Sequence, residues 1–336
     1  MAKKNDTLCK LLLSKHLSVI PYKNNQLAIL NRNNGIALLA DDNLLSFLDE
    51  FKNPISIEDV KYRFQIDNLE KKIDDLLKKK FLLDQNDDEE IEYIIRNHLS
   101  VNKKRICDET FNIFYPKDEK YLIHCLRDLL KEVYSHLIKR GFKKFHQKAI
   151  VFVCENREEA ETLWGTKNIP ITIDFFVSHG KILTIRPNKI YLFAIADEKL
   201  FKAMTHEMIH IFLYEYYANI PIWCLEGLCE YYSANVYPIS LKALIDIKGL
   251  YRFDEFNKIA KHSIIDIDSS KIEFNIAYRQ SVSFITYLVN LLGEKKLIEC
   301  VLSTGLSKDL ETSFIELFNY SLTHYEIEWR KKLGYV

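Results

Sequence analysis

The segment EKLFKAMTHEMIHIFLYEYYA, residues 198–218, is apolar on nearly every side, yet it carries two histidines and a glutamate at its centre. A helix that is apolar all round is buried. His206 and His210 stand four residues apart, so on a helix both imidazoles lie on one face, with Glu207 beside the first. Burying such groups unsatisfied costs roughly 1–3 kcal/mol each. Two arrangements remove that cost. Either the histidines are hydrogen-bonded within the core, or a metal takes up their lone pairs. The H-E-x-x-H spacing suits a tetrahedral zinc ion, with Glu207 able to reach a water beside it.

A third ligand has to come from another element. PIWCLEGLCEYY, residues 221–232, follows closely, with Pro221 suited to the first turn of a helix and Glu226 and Glu230 four apart on one face. Glu226 is a surface carboxylate if that helix is amphipathic. Its neighbours Trp223, Leu225, Leu228 and Tyr231 make the helix largely buried, so a carboxylate there needs a partner. The spacing predicts Glu226 as the third zinc ligand and Glu230 as a carboxylate that orients a zinc-bound histidine. Cys224 and Cys229 flank Glu226, which could put them near the zinc; they are read as reduced core thiols, because two histidines and a glutamate complete the protein's share of a catalytic zinc site.

The rest of the chain is compatible with such a core. Its 336 residues suggest about two domains at roughly 150 residues each. Lys and Arg number 47 and so do Asp and Glu, which argues against wholesale nucleic-acid binding. No stretch reaches the roughly 18 uninterrupted apolar residues of a membrane span. Lys10 and Lys15 interrupt any signal-peptide core, so a cytoplasmic location is expected. The seven cysteines are scattered, without a C-x-x-C pair, and read as reduced thiols.

HLSVIPY, QLAILNR and GIALLA are three β-rich runs separated by the turn signals KNN and NNG. Three helices are predicted next: DNLLSFLDEF, capped by Asp41 or Asp42; SIEDVKYRF, with Ser56 three residues before Asp59; and a third from Asp67 through Lys80. FLL at 81–83 closes this unit. The acidic run DQNDDEEIEY reads as a solvated linker, and FNIFYP as a strand near its end. Beyond it come an amphipathic helix over about 118–140, the extended runs KAIVFVC, ITIDFFVS, KILTIRP and KIYLFAI, with SHG as a turn, and a mainly helical remainder from Glu198. The fold class predicted is α+β. A small winged-helix module spans 1–86, a linker 87–117, and a mainly helical domain with a small β-sheet 118–336.

HExxH followed by P-x-W-x-x-E-G-x-x-E-Y resembles the gluzincin metallopeptidases, in particular the smaller peptidase-MA-like domains. AYRQSVSFITYLVNLLGEKKL and ETSFIELFNYSLTHYEIEWRKKL resemble later segments of that family, so the likeness runs over about 118–336. Leu213 and Tyr216 stand where a metzincin would carry Gly and His, which excludes that extension. No GxMEN-type motif precedes the zinc helix, and the resemblance therefore implies an endopeptidase. It implies Zn²⁺ on His206, His210 and Glu226, Glu207 as the general base, and Tyr278 as donor to the oxyanion. Among the chain's 19 tyrosines a core or surface role for Tyr278 is an equal alternative. His262 and Arg279 are set aside.

Residues 15–85, through HLSVIPYKNNQLAILNRNNGIALLADDNLLSFLDEF, SIEDVKYRF and LEKKIDDLLKKKFLL, resemble the PqqD-like fold. That likeness implies a partner: the leader of a ribosomally made precursor peptide, adding a strand to a sheet edge formed by GIALLA and packing on the third helix. The combined expectation is a zinc endopeptidase that removes such a leader. The alternative is a DNA-binding regulatory protease that cleaves a repressor. Residues 1–83 hold 14 Lys and Arg against 11 Asp and Glu, but Asp67, Glu70, Asp74 and Asp75 on the third helix would face phosphates. A non-catalytic binding protein is disfavoured by Glu207 standing beside both histidines.

Overall fold

The runs between KNN and NNG become an antiparallel meander in a computed structural model of the chain, which describes residues 10–14, 17–22, 26–31, 35–52, 55–64, 66, 68–84, 103–117, 120–146, 148–164, 175–178, 182–185, 198–214, 220–234, 249–253 and 271–335. KNN, most of NNG, Asp67, the acidic run after Asp84, the SHG turn beyond Ser178, the start of ITIDFFVS and KIYLFAI lie outside the described residues. The chain divides into two units of mixed α and β structure. One takes in Met1–Asn97, Tyr217–Asn219 and Thr304–Asp309, and the other His98–Tyr216, Ile220–Ser303 and Leu310–Val336.

In the first unit β1 (Lys10–Leu13) precedes the meander of β2 (Leu17–Pro21), β3 (Leu27–Asn31) and β4 (Ala37–Ala40), in which Val19 faces Ile29 and Ile29 faces Leu38. Asp41 caps α1 (Asp42–Asp49) by accepting from Leu44 N–H at 2.7 Å. A short 3₁₀ turn (Glu50–Lys52) and β5 (Ile55–Ser56) lead to α2 (Ile57–Arg63). There the Ser56 hydroxyl accepts from Asp59 N–H at 3.1 Å and donates to the Asp59 carboxylate at 2.7 Å, the local satisfaction that a helix start requires.

The third helix, α3 (Leu69–Lys78), is shorter at both ends than its charged sequence implies. Left-handed Asn68 stands at its start. At its end Phe81 N–H donates to Leu76 C=O and Lys80 N–H to Leu77 C=O, with Lys80 at φ +59°, a Schellman stop. The buried Asn31 amide donates to Lys80 C=O at 2.7 Å and braces that strained residue. β6 (Leu82–Asp84) then joins β1 and β5 in a second small antiparallel sheet. Phe47, Leu48, Phe51, Ile73 and Phe81 are fully buried at the centre of this unit. Asp49 accepts from Leu306 N–H and Ser307 N–H, both at 2.7 Å, which fixes residues 304–309 within it.

The second unit begins earlier than its sequence suggests. β7 (Lys103–Cys107) and β8 (Phe111–Pro116) form a hairpin inside the stretch expected to be a linker, 87–117. β8 is the strand expected of FNIFYP, and Phe111 to Tyr115 are all buried because it is an interior strand covered on both faces. Its partner β7 is too polar to announce itself in the sequence. α4 (Lys120–Arg140) crosses to β9 (Ala149–Val153), which is parallel to β8 and entirely buried. α5 (Arg157–Trp164) follows, then β10 (Phe175–Ser178) and β11 (Ile182–Ile185). The sheet order is β10-β11-β9-β8-β7, with β11 parallel to β9 and β10 antiparallel to β11. Helices complete the unit: α6 (Glu198–Tyr214), α7 (Ile222–Ser233), α8 (Lys271–Leu292), α9 (Glu294–Leu302), α10 (Leu310–Phe318) and α11 (Leu322–Lys332). α6 packs on β10, α7 lies against both α6 and α8, and no described helix is long and apolar enough to cross a membrane.

Candidate metal centre

α6 is held by its apolar residues. Met204, Met208, Ile209 and Leu213 are fully buried, and Phe212 joins a ring cluster with Tyr134, Phe142 and Phe145. With those positions committed to the core, His206 and His210 project together from the remaining face. Their Nε2 atoms are 3.3 Å apart.

α7 supplies the other donors. Pro221 is its N-cap rather than its first helical residue, with Leu225 N–H donating to Pro221 C=O at 3.1 Å. One turn further on, Glu226 Oε2 lies 3.6 Å from His206 Nε2 and Glu226 Oε1 lies 3.7 Å from His210 Nε2. In a tetrahedral zinc site with metal–ligand distances of about 2.0–2.1 Å, ligand atoms are about 3.3–3.4 Å apart. The histidine pair at 3.3 Å matches that edge, and each Glu226 oxygen stands within about 0.4 Å of it from one histidine, Oε2 from His206 and Oε1 from His210.

Behind His206, Glu230 Oε1 stands 3.1 Å from Nδ1. This carboxylate is almost wholly buried and fixes the ring so that Nε2 turns toward His210 and Glu226. Glu207, Glu226 and Glu230 also set the charge state. Burial alone lowers the His206 pKa, but the Glu230 hydrogen bond and the three carboxylate charges outweigh it and raise it to about 9. His210 goes the other way, well below the usual imidazole range, through burial and the nearby His206. Burial raises the Glu226 pKa, against the pull of His206 and of a hydrogen bond from Tyr278.

Tyr278 comes from α8, and a glycine brings it close. A Cβ on Gly227 would lie 2.8 Å from Ile285 Cγ1 and 3.1 Å from the Ser281 backbone carbon, so α8 approaches α7 at a point where only hydrogen fits. Tyr278, one turn before Ser281 on the same face, donates its hydroxyl to Glu226.

The structure thus brings together the candidates His206, Glu207, His210, Glu226, Glu230 and Tyr278. His262 lies outside the described residues. Of the two cysteines that flank Glu226, Cys229 is both a buried thiol and a neighbour of the site: its sulfur, with one donor atom from each of His206 and His210, forms a set whose members all lie within 4.8 Å of one another. The signal was available in the spacing, since Cys229 follows Glu226 by three residues and shares its face. Cys224 is buried near Cys300. His206, His210 and Cys229 form a group that could hold a metal ion, and the Glu226 carboxylate faces both histidines beside it. No protein-family model matches the chain, and no curated protein is found to be similar to it.

Proposed function

We propose that the chain is a zinc-dependent endopeptidase that takes the leader of a ribosomally made precursor peptide on its N-terminal unit and removes that leader in the cytoplasm. The observation that carries the reading is the Glu226 carboxylate facing the paired Nε2 atoms of His206 and His210, with Glu230 bonded to the outer nitrogen of His206. These four residues are the types that the gluzincin resemblance calls for at a zinc site. When bound, zinc supplies polarisation of the scissile carbonyl and acidification of water toward a pKa of about 7.

The chain's own groups do the rest. Glu207 accepts a proton from the attacking water and delivers it to the leaving amine. Tyr278, whose hydroxyl lies at Glu226, turns its hydrogen bond to the developing oxyanion. β10, at the end of the sheet among the described strands and packed on α6, offers main-chain groups along which a peptide can lie as an added strand. In the N-terminal unit β4 ends the meander, and its exposed Leu39 gives an apolar contact for a leader strand on that edge. None of the six described cysteines is in a disulfide, as a reducing compartment requires.

Digestion of a peptide library by the zinc-loaded full chain, read by mass spectrometry, tests the activity. New internal cleavage products that vanish with a chelator are expected. A chain that binds zinc and cuts no peptide contradicts the endopeptidase.

A further inference from the structure

We propose that Cys229 is a sulfur donor to the metal at this site, so that the resting centre is held by His206, His210, Glu226 and Cys229. The inference rests on the metal reading above and adds a ligand that a His, His and Glu set does not call for.

Cys229 sits on α7 three residues after Glu226, so both side chains leave the same face of one helix toward α6. Its sulfur and the histidine donor atoms lie within 4.8 Å of one another. With metal–sulfur and metal–nitrogen distances of about 2.3 and 2.0–2.1 Å, the tetrahedral sulfur-to-nitrogen edge is about 3.5–3.6 Å, so a contraction on the order of 1 Å completes the shell. The thiol has no exposed surface and is not in a disulfide. The sulfur thus stands beside both histidine donor atoms and feels the charge of the Glu226 carboxylate. A metal deprotonates a coordinating thiol outright.

The consequence is chemical. Three protein ligands leave a position open for water, whereas four close it. With Cys229 in the fourth position, water or substrate would have to displace the thiolate from the metal, and a sulfur ligand would shift the site toward thiophilic ions.

The test is titration of the metal-free full chain with Co(II), followed by visible and near-ultraviolet absorption. Intense d–d bands report tetrahedral Co(II), and a near-ultraviolet charge-transfer band reports thiolate on the ion. The expected result is both features in the wild type, with the charge-transfer band lost and the d–d bands kept in Cys229→Ser. Tetrahedral d–d bands without charge transfer in the wild type overturn the proposal and leave the metal site standing, as does a charge-transfer band that survives Cys229→Ser. Absence of any Co(II) binding overturns the metal reading and this inference together. X-ray absorption on the zinc-loaded wild type needs no variant: a sulfur shell at about 2.3 Å supports the ligand, and a shell of nitrogen and oxygen alone refutes it.

Discussion

Glu230 Oε1 stands 3.1 Å from His206 Nδ1, and this one contact fixes which nitrogen of His206 faces His210 and Glu226. Removing the charge while keeping the shape tests its weight. Glu230→Gln is expected to weaken zinc binding about 10–100-fold, the usual cost of losing a carboxylate behind a metal-bound histidine. Competition against a chromophoric chelator measures it, and an unchanged affinity excludes the orienting role.

Glu207 is expected to separate binding from chemistry. Glu207→Gln should hold zinc within a few-fold of the wild type and lose about 10²–10⁴ in peptide hydrolysis, the range attributable to a general base. Parallel loss of zinc would place Glu207 in the structure of the site instead.

The contact of Gly227 with Ser281 and Ile285 sets how near Tyr278 comes to Glu226. Gly227→Ala forces a methyl against Ile285 Cγ1 and the Ser281 backbone, and should lower stability by about 1–3 kcal/mol. Urea unfolding at unchanged m-value reads this out. A neutral Gly227→Ala shows that the two helices have room to part.

His206 gives the metal-free chain a pH dependence of definite sign. Its folded pKa of about 9 lies above the ordinary imidazole value of 6.5, so the stability it contributes is complete below about pH 6.5 and is lost as pH rises through about 9. His210 runs the other way, its cost present at low pH and gone above its ordinary value. Between about pH 7 and 9 the chelator-treated chain should therefore lose stability, while zinc affinity rises as the proton on His206 stops competing. Glu230→Gln should flatten both trends, and urea midpoints across this range that do not move would contradict the assignment.

On the N-terminal unit the prediction concerns β4. Peptides selected from a random library for binding to the full chain should lose affinity when Leu39→Asp places a charge on that edge, while cleavage of short generic peptides is unchanged. Equal loss of both argues against a recognition edge.

Much of the site was legible because helix spacing is: residues four apart share a face, which placed His206 with His210 and Glu226 with Glu230. The caps at Asp41 and Ser56 were legible for the same local reason. What depended on how elements approach one another was not. The strand FNIFYP was read, but its edge partner Lys103–Cys107 is too polar to stand out. The left-handed residues Asn68 and Lys80 shortened α3 against its charged pattern. Cys229 shared the right face all along, but only the packing of α6 against α7 brings its sulfur to the histidines.

The most direct measurement is metal content. Full-length protein exposed to zinc and then freed of excess metal should carry about one zinc per chain by inductively coupled plasma mass spectrometry, the stoichiometry of a single tetrahedral site. The double variant His206→Ala, His210→Ala should carry essentially none. Zinc retained equally by that variant, or no zinc on the wild type, would contradict the account.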